Sequence, residues 1–191
     1  NFKKKIKANI KSNISKKNFI KNINIAKKYI KNGDIFQVVP SQRFETKYTG
    51  SVLKLYQALR KTNPSPFMYY FNFPRFKIVG SSPEILVRLR NKKITIRPIA
   101  GTRPRGKTKK LDNKYAEDLL KDKKEIAEHL MLLDLGRNDI GRVANKSSVK
   151  VTSEFEIERY SHVMHIVSNV EGKVSSDKTA FEALMAGFPA G

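Results

Sequence analysis

The order of apolar and polar residues along the chain predicts four helices. Apolar residues recur at helical spacing over residues 19–30, after Ser15, a suitable N-cap, and before Gly33, which suits the left-handed residue that follows a helix. A second helix is expected over residues 51–60, ending before an NPSP turn. A third is expected over residues 112–135, closed by Gly136, and a last one begins near Asp177.

Shorter apolar stretches between these helices predict β-strands. They cover residues 35–44, 67–73, 76–80, 85–89, 93–98, 148–155 and 162–170. Pro40 lies within the first stretch and indicates an edge strand or a bulge, and a turn at Asn91 is expected to form a hairpin. Because helices and hairpins are mixed without a regular βαβ alternation, the pattern predicts an α+β fold.

The composition narrows the class of protein. With 191 residues and a hydrophobic fraction of 39%, the chain can bury a core and is not wholly disordered. It has no cysteine, which excludes disulfides, thiolate zinc sites and cysteine nucleophiles. No apolar run approaches the roughly 20 residues of a membrane helix, and no signal peptide opens the sequence. We therefore expect a soluble, cytoplasmic globular piece without a membrane partner.

The net charge of +22 raises the question of nucleic-acid binding. Residues 1–33 contain 11 lysines and no acidic residue, so a basic module is one interpretation. However, lysines outnumber arginines 28 to 11, as drift toward A and T codons produces, and no aromatic residues alternate with the basic ones to stack on bases. We expect a solvated surface and no specific nucleic acid, with residues 1–14 as a basic linker or frayed arm.

The long predicted helix carries a pair of carboxylates. Glu125 and Glu128 are three residues apart, so their Cβ atoms lie about 5–6 Å apart on one helix face. Hard carboxylate oxygens suit Mg²⁺, which takes one or two such ligands. The alternative is two exposed helix glutamates, but the most apolar turn of the helix follows directly.

Three further sites contain residues that could take part in catalysis or binding. Each of them also has a purely structural interpretation. Glu84, between two strands, is either a general acid with a raised pKa or a loop carboxylate. His165 faces the core side of its strand and is either catalytic or a satisfied core histidine. Gly101 and Thr102, in a flexible turn, could bind an anion through backbone N–H groups and a hydroxyl, or could only form the turn.

Seven stretches resemble, in the same order, motifs of the chorismate-utilising enzymes and, among these, of the large subunits of anthranilate synthases. They are GDIFQVVPSQRF (33–44), NPSPFMYYF (63–71), GSSPE (80–84), RPIAGTRPRG (97–106), EIAEHLMLLDLGRNDIGRV (125–143), VMHIVSNVEG (163–172) and FPAG (188–191). The family fold is an α/β sandwich with large antiparallel sheets, which agrees with the α+β pattern.

The resemblance implies a reaction and roles for four residues. Ammonia attacks chorismate in a Mg²⁺-dependent step, the ring hydroxyl leaves, and elimination of pyruvate then yields anthranilate. Glu128 matches the direct metal ligand and Glu125 its companion outside the direct coordination sphere. Glu84 matches the acid beside the departing hydroxyl, and His165 matches the histidine of the pyruvate-elimination half.

Four more positions are assigned by the same resemblance. Gly101 and Thr102 match residues that contact chorismate. Relatives that add water carry a lysine base where this chain has Gln37, and aminodeoxychorismate synthases carry a nucleophilic lysine where it has Ala100. Because neither side chain can act as base or nucleophile, the resemblance implies amination by ammonia, which a glutamine amidotransferase partner subunit supplies.

The NPSP segment adds an expectation about regulation. Asn63, Pro66, Phe67 and Met68 match part of a tryptophan feedback site, and the structural alternative is a turn followed by a strand. Because the family's large subunit is longer at both ends, residues 15–191 are expected to be a partial catalytic domain with little activity alone. Two other interpretations stay open: an inactive, degenerate remnant of such a subunit, and an aminodeoxychorismate synthase component I.

Overall fold

The computed structural model describes residues 9–188 and confirms the α+β class. Every strand pairing within those residues is antiparallel. The chain divides into two compact units, one ending at Ser51 and the other beginning at Val52. The boundary expected at residue 14 stays a prediction, since residues 1–8 lie outside the described part. No helix between residues 9 and 188 is long and apolar enough to span a bilayer.

The first unit is a helix beside a two-stranded sheet. It contains β1 (Lys11–Ser12), α1 (Lys16–Asn32) and β2 (Phe44–Glu45), with β1 paired to β2. Both predicted caps of α1 are confirmed. The Ser15 side chain accepts the Asn18 N–H, and Gly33 has φ of 82°, in the left-handed region that favours glycine.

The strand expected over residues 35–44 is wrong for all but its last residue. Residues 35–43 have no regular secondary structure, and Phe36 and Val39 are 94% and 81% exposed. An apolar pattern forms a strand only where a neighbour satisfies its backbone hydrogen bonds, and Pro40 has no N–H to donate. Phe44 alone in this range pairs with another strand, β1.

The second unit contains four helices and seven strands among its described residues. They are α2 (Val52–Thr62), β3 (Phe67–Asn72), β4 (Lys77–Ser82), β5 (Arg88–Arg90), β6 (Lys93–Ile96), β7 (Ile99–Pro104), α3 (Lys109–Lys121), α4 (Lys123–Gly141), β8 (Lys150–Arg159), β9 (Val163–Lys173) and α5 (Ala180–Ala186). The predicted turn at Asn91 is confirmed. Asn91 and Lys92 have φ of 50° and 61°, as a tight two-residue turn between β5 and β6 requires.

Strand β9 is the centre of a five-stranded sheet. Strand β8 pairs along one edge of β9, and β7 and β6 share the other edge, beside residues 163–167 and 170–173 respectively. Both β7 and β8 slip in register against β9 and so contain bulges. Strands β3 and β4 form a separate hairpin.

Helices α3 and α4 cover this sheet and bury its core. Ile140 of α4 joins Ile94 and Val170 of the sheet in one apolar cluster, and Leu119 of α3 joins Met164 in a second. All five of these side chains are 0% exposed. The fixed position of α4 on the sheet therefore rests on close packing.

The single helix expected over residues 112–135 is wrong in two respects. It is broken at Asp122, whose ψ of 106° ends α3 and whose side chain caps α4 by accepting two N–H groups. It also does not stop at Gly136, which lies buried within α4. A Cβ at Gly136 would be 3.4 Å from Ile96 Cγ2, so glycine lets the helix approach the sheet closely.

Candidate active site

Gly101 and Thr102 lie in the bulged strand β7, so the flexible turn expected there is wrong. Gly101 has φ of 70°, which a residue with a side chain adopts only with strain. A Cβ at this position would lie 2.9 Å from Leu119 Cδ1 and 3.4 Å from Glu125 Oε2. The bulge therefore brings the backbone of β7 close to the carboxylate of Glu125.

His165 on β9 is bonded to the same bulge. Its Nδ1 lies 2.8 Å from the Gly101 carbonyl oxygen and 3.2 Å from Thr102 Oγ1. Because a carbonyl oxygen only accepts, Nδ1 carries the proton and Nε2 keeps its lone pair. His165 is half-buried, whereas the neighbours pointing to the opposite face, Met164 and Ile166, are fully buried. The backbone thus holds the ring, and the ring does not fill the core. The expectation that His165 faces the core side of its strand is wrong.

Glu125 and Glu128 emerge from the first turns of α4, and Glu125 lies beside this bulge. The Glu125 side chain is 16% exposed and that of Glu128 is 38% exposed. Lys124 Nζ lies 3.5 Å from Glu125 Oε1 and 4.0 Å from Glu128 Oε2. The two carboxylates thus share one cation, the Lys124 ammonium group. Because this side chain is 79% exposed, it can move away when another cation binds.

Arg103, which the sequence analysis did not single out, fixes the start of α4. Its guanidinium donates to Asp118 (Nε to Oδ2, 2.7 Å) and to Asp122 (Nη2 to Oδ2, 2.8 Å) and lies 3.9 Å from Glu125. The hydrogen bond from Arg103 lowers the pKa of Asp122, and those to Asp118 and Asp122 raise the pKa of Arg103. The spacing of Asp122 and Glu125 is that of a capping box, a signal that could have located this junction.

Glu84 lies in the loop between β4 and β5. The residue as a whole is exposed, yet the protein around its carboxyl group desolvates it enough to raise its pKa. The Ile99 N–H, which donates to this carboxyl group, opposes the shift. Ile99 begins β7, so Glu84 contacts the strand that carries Gly101 and Thr102.

Tyr160 packs against His165, and no sequence signal pointed to it. Its ring meets the His165 ring edge-on, with centroids 5.5 Å apart, and its hydroxyl donates to Glu158 Oε2 at 2.8 Å. Burial and the bond to Glu158 raise the pKa of Tyr160 to about 12, and the charge of Glu84 adds to the shift. Glu158 is itself paired with Arg97. Tyr160 is therefore a neutral donor to Glu158 whose ring packs against His165.

His129 of α4 is the fully buried histidine of the described chain, and the sequence analysis missed it. Its Nε2 lies 2.6 Å from Ser168 Oγ, and its ring packs on Phe155 with centroids 5.1 Å apart. Burial lowers the pKa of His129, which favours the neutral ring. A signal was present, because residues 129, 133, 136 and 140 recur at helical spacing and all four are buried.

Two predicted site residues, Ala100 and Gln37, lie in environments unlike those of the charged and histidine residues described above. Ala100, in β7, is buried at 7% exposure, and its methyl group offers no titratable atom. Gln37 belongs to the first unit, where it is exposed and outside regular secondary structure. The contribution of Gln37 to a site stays a prediction.

The four residues expected to bind tryptophan lie around the start of β3. Met68 pairs with Ser81 of β4, and the Ser81 hydroxyl donates to the Asn63 carbonyl oxygen at 2.8 Å. Pro66 and Phe67 are exposed. The segment therefore forms a turn and a strand start, as the structural alternative expected, with exposed apolar surface.

Comparisons with known proteins identify the family of this chain. A model of the chorismate binding enzyme family matches residues 2–191. Anthranilate synthase component 1 of Cereibacter sphaeroides is 58% identical over 182 residues, which cover 95% of this chain and 36% of that protein. The Synechocystis protein of the same name is 57% identical over 188 residues, 96% and 37% of the two lengths.

A solved structure extends the likeness to the fold. The crystal structure of anthranilate synthase component I from Streptococcus pneumoniae matches with a TM-score of 0.89 and 43% identity, covering 96% of this chain and 40% of that one. The chain thus spans 36% to 40% of the length of these three relatives. It belongs to the chorismate binding enzyme family.

Proposed function

We propose that this chain carries the catalytic core of an anthranilate synthase large subunit, which aminates chorismate and eliminates pyruvate. The observation that carries the proposal is the position of Gly101. Its carbonyl accepts the Nδ1–H of His165, and the space beside its Cα is bounded by the Glu125 carboxylate. The Glu125 carboxylate and an imidazole of fixed orientation thus lie at one bulge, and Glu128 is on the same face of α4 as Glu125.

Glu84 is proposed as the acid of the amination half. Ammonia forms a bond to a ring carbon, and the ring hydroxyl leaves as water after taking a proton from Glu84. The proton released by the new amine returns to this carboxylate. A raised pKa supports this role, because it keeps the carboxyl protonated to higher pH than an ordinary glutamate.

His165 is proposed as the base of the elimination half. Its Nδ1 proton is committed to the Gly101 carbonyl, so Nε2 is the nitrogen that can take a proton. Removing the ring hydrogen beside the amine lets the bond to the enolpyruvyl oxygen break and the ring become aromatic. The same proton completes the methyl group of pyruvate. Chorismate and ammonia then give anthranilate, pyruvate and water.

Glu128 and Glu125 are proposed to hold Mg²⁺, and their donor chemistry fits this ion. Within residues 9–188 no group of three or more histidine or acidic side chains could hold a metal. Mg²⁺ normally takes one or two protein carboxylates and completes its coordination with water and substrate oxygens. When bound, the ion would orient and polarise the ring carboxylate of chorismate. The pair beside Gly101 is adequate for that arrangement, provided that Lys124 moves aside.

The nucleophile and the regulation are proposed from the remaining residues. Gln37 and Ala100 lack a basic or nucleophilic atom, which favours ammonia over water and over a lysine adduct. A glutamine amidotransferase subunit would supply the ammonia, and both subunits would act in the cytoplasm. Asn63, Pro66 and the neighbouring start of β3 would form part of a tryptophan feedback site.

The test uses the protein expressed from its complete reading frame, with chorismate, Mg²⁺ and ammonium. Anthranilate fluorescence should appear, and Glu128→Gln should lower the rate by about 100-fold or more, since Lewis-acid stabilisation contributes several kcal/mol. Asp134→Asn is the matched control: it removes an acid from the same helix whose side chain is 72% exposed. Equal rates for Glu128→Gln and wild type would refute the metal assignment.

A further inference from the structure

One hydrogen bond joins α4 to the centre of the sheet inside the core. His129 Nε2 and Ser168 Oγ are 2.6 Å apart, both side chains are 0% exposed, and the Phe155 N–H donates to the same Ser168 Oγ at 3.1 Å. Phe155 has φ of 53°, which is strained for a residue with a side chain, and lies in the bulge of β8. Helix α4 and strands β8 and β9 therefore meet at one serine hydroxyl.

Counting donors and acceptors leaves two hydrogen arrangements for this junction. A backbone N–H must donate, so Ser168 Oγ accepts from Phe155 in both. Either Ser168 donates to His129 Nε2 and the ring proton is on Nδ1, or Nε2 donates to Ser168 and the serine hydrogen is left over. The bond between His129 and Ser168 is present in both arrangements. Among the described residues Nδ1 has no hydrogen-bond partner, so the core tolerates an unpaired polar atom to keep this ring.

The junction lies between the two halves of the candidate site. His129 directly follows Glu128 and is one helical turn after Glu125, so a rotation of this turn of α4 moves both carboxylates. Ser168 lies three residues after His165, and its N–H donates to the Pro98 carbonyl at 3.1 Å, just before β7. The bond thus ties the carboxylates to the strands that hold His165 and Gly101.

We propose that His129 is a positioning residue, which through its bond to Ser168 sets the rotation of α4 and thereby aims Glu125 and Glu128 at the cation site. The inference rests on the proposed function for the identity of that cation. An apolar side chain of similar volume would fill the same space without a directional bond, so packing alone does not require a histidine. The bond is directional and short, which packing contacts are not.

The test compares three variants of the protein from its complete reading frame by Mg²⁺ calorimetry without chorismate. His129→Leu should raise the Kd for Mg²⁺ by about tenfold or more, as loss of groups that orient metal ligands does. His129→Gln, which can restore a polar atom near Nε2, should recover most of this affinity. Leu133→Ala, a buried residue of the same helix, should lower the melting temperature but leave the Kd unchanged.

The carboxyl ¹³C resonances of Glu125 and Glu128 in the metal-free protein give a second measurement. They should shift in His129→Leu and not in Leu133→Ala. If His129→Leu does not fold, Ser168→Ala removes the same bond and should give the same shifts and the same rise in Kd. Unchanged resonances in Ser168→Ala would overturn the positioning role, whether or not the protein binds Mg²⁺. Shifted resonances in a protein that binds no Mg²⁺ would support positioning and refute the proposed metal instead.

Discussion

The five-stranded sheet and the β3–β4 hairpin are both rich in apolar side chains, but they bury them very differently. Ile94, Met164 and Val170 of the sheet are fully buried beneath α3 and α4. In the hairpin Phe71 and Phe76 are 49% and 57% exposed, although the aromatic rings stack along the strands. Two helices, α3 and α4, cover the sheet, whereas the shorter α2 packs on the hairpin and leaves these rings exposed.

This contrast separates the candidate functions. The groups proposed for catalysis lie on or beside the covered sheet and are held by backbone or paired charges, as with His165 on Gly101 and Arg103 on Asp122. The residues proposed for tryptophan binding begin the exposed hairpin. Regions with few buried contacts open most easily, which suits a segment that responds to a ligand. We therefore expect the sheet to set activity and stability, and the hairpin to influence them weakly.

The largest expected difference is in the free energy of unfolding. Ile140→Ala empties space between α4 and the sheet and should cost about 2–5 kcal/mol. Phe71→Ala removes a half-exposed ring and should cost about 1 kcal/mol, mainly lost ring contacts. Urea unfolding of the two variants measures both values. Equal losses would show that the hairpin is packed as firmly as the sheet.

Two glycines of the covered region, Gly101 and Gly141, differ in the space around them. Gly101→Ala forces a side chain to φ of 70° and against Leu119, which should cost about 1–3 kcal/mol and weaken chorismate binding. Gly141→Ala, in α4 with nothing within 4 Å of the added Cβ, should stabilise the helix by about 0.5–1 kcal/mol. Thermal unfolding and chorismate titration check both. Unchanged stability and chorismate binding in Gly101→Ala would contradict the tight approach of β7 to Glu125.

Acid should loosen the sheet before the hairpin. Asp112 accepts from Arg105 (2.9 Å), the Gly106 N–H (2.7 Å) and Arg159 (3.0 Å), and the Arg105 bond foremost lowers the pKa of Asp112 from 3.8 to about 2. Because the folded state binds this proton less readily than the unfolded state, its stabilisation is present above pH about 4 and is lost as the pH falls toward 2.

Site-resolved hydrogen exchange between pH 4 and 2 measures this effect. Protection near Asp112 should fall across that range in wild type and be low and nearly flat in Asp112→Asn. Residues 67–82 of the hairpin contain no acidic side chain, so their protection should not follow the same curve. A parallel loss of protection in the hairpin would contradict the expected difference between the two regions.

The smallest expected effect concerns Tyr160. Tyr160→Phe removes the hydroxyl that donates to Glu158 and keeps the ring against His165. Loss of one such bond is worth about 1 kcal/mol, so the free energy of unfolding should fall by about that amount, as urea unfolding measures. Tyr115→Phe, a partly buried tyrosine of α3, serves as the control. An unchanged free energy of unfolding would assign Tyr160 to packing only.

The sequence alone predicted features that depend on residues close together along the chain. The caps at Ser15 and Gly33, the turn at Asn91 and the common helix face of Glu125 and Glu128 are all local, and the structure contains them. The mixture of helices and hairpins predicted the α+β class, and the resemblance to known motifs predicted the family.

Features that depend on contacts between distant segments were missed. Gly101 was expected in a turn because its bulge exists only against β9, and Gly136 was expected to end a helix because its close approach to Ile96 needs the sheet. Residues 35–43 have the pattern of a strand but no pairing in the described chain. His129 follows the charged residues 123–125 and Glu128 in the sequence, and its burial and its bond to Ser168 show that it belongs to the core.

We propose that a divalent cation held by Glu128 and Glu125 binds the substrate's carboxylate. Equilibrium binding of chorismate to the protein from its complete reading frame, without ammonium and with or without Mg²⁺, tests this proposal. Mg²⁺ should tighten chorismate binding about tenfold in wild type and in Asp134→Asn, and this gain should be lost in Glu128→Gln. The same tightening in Glu128→Gln as in wild type would contradict it.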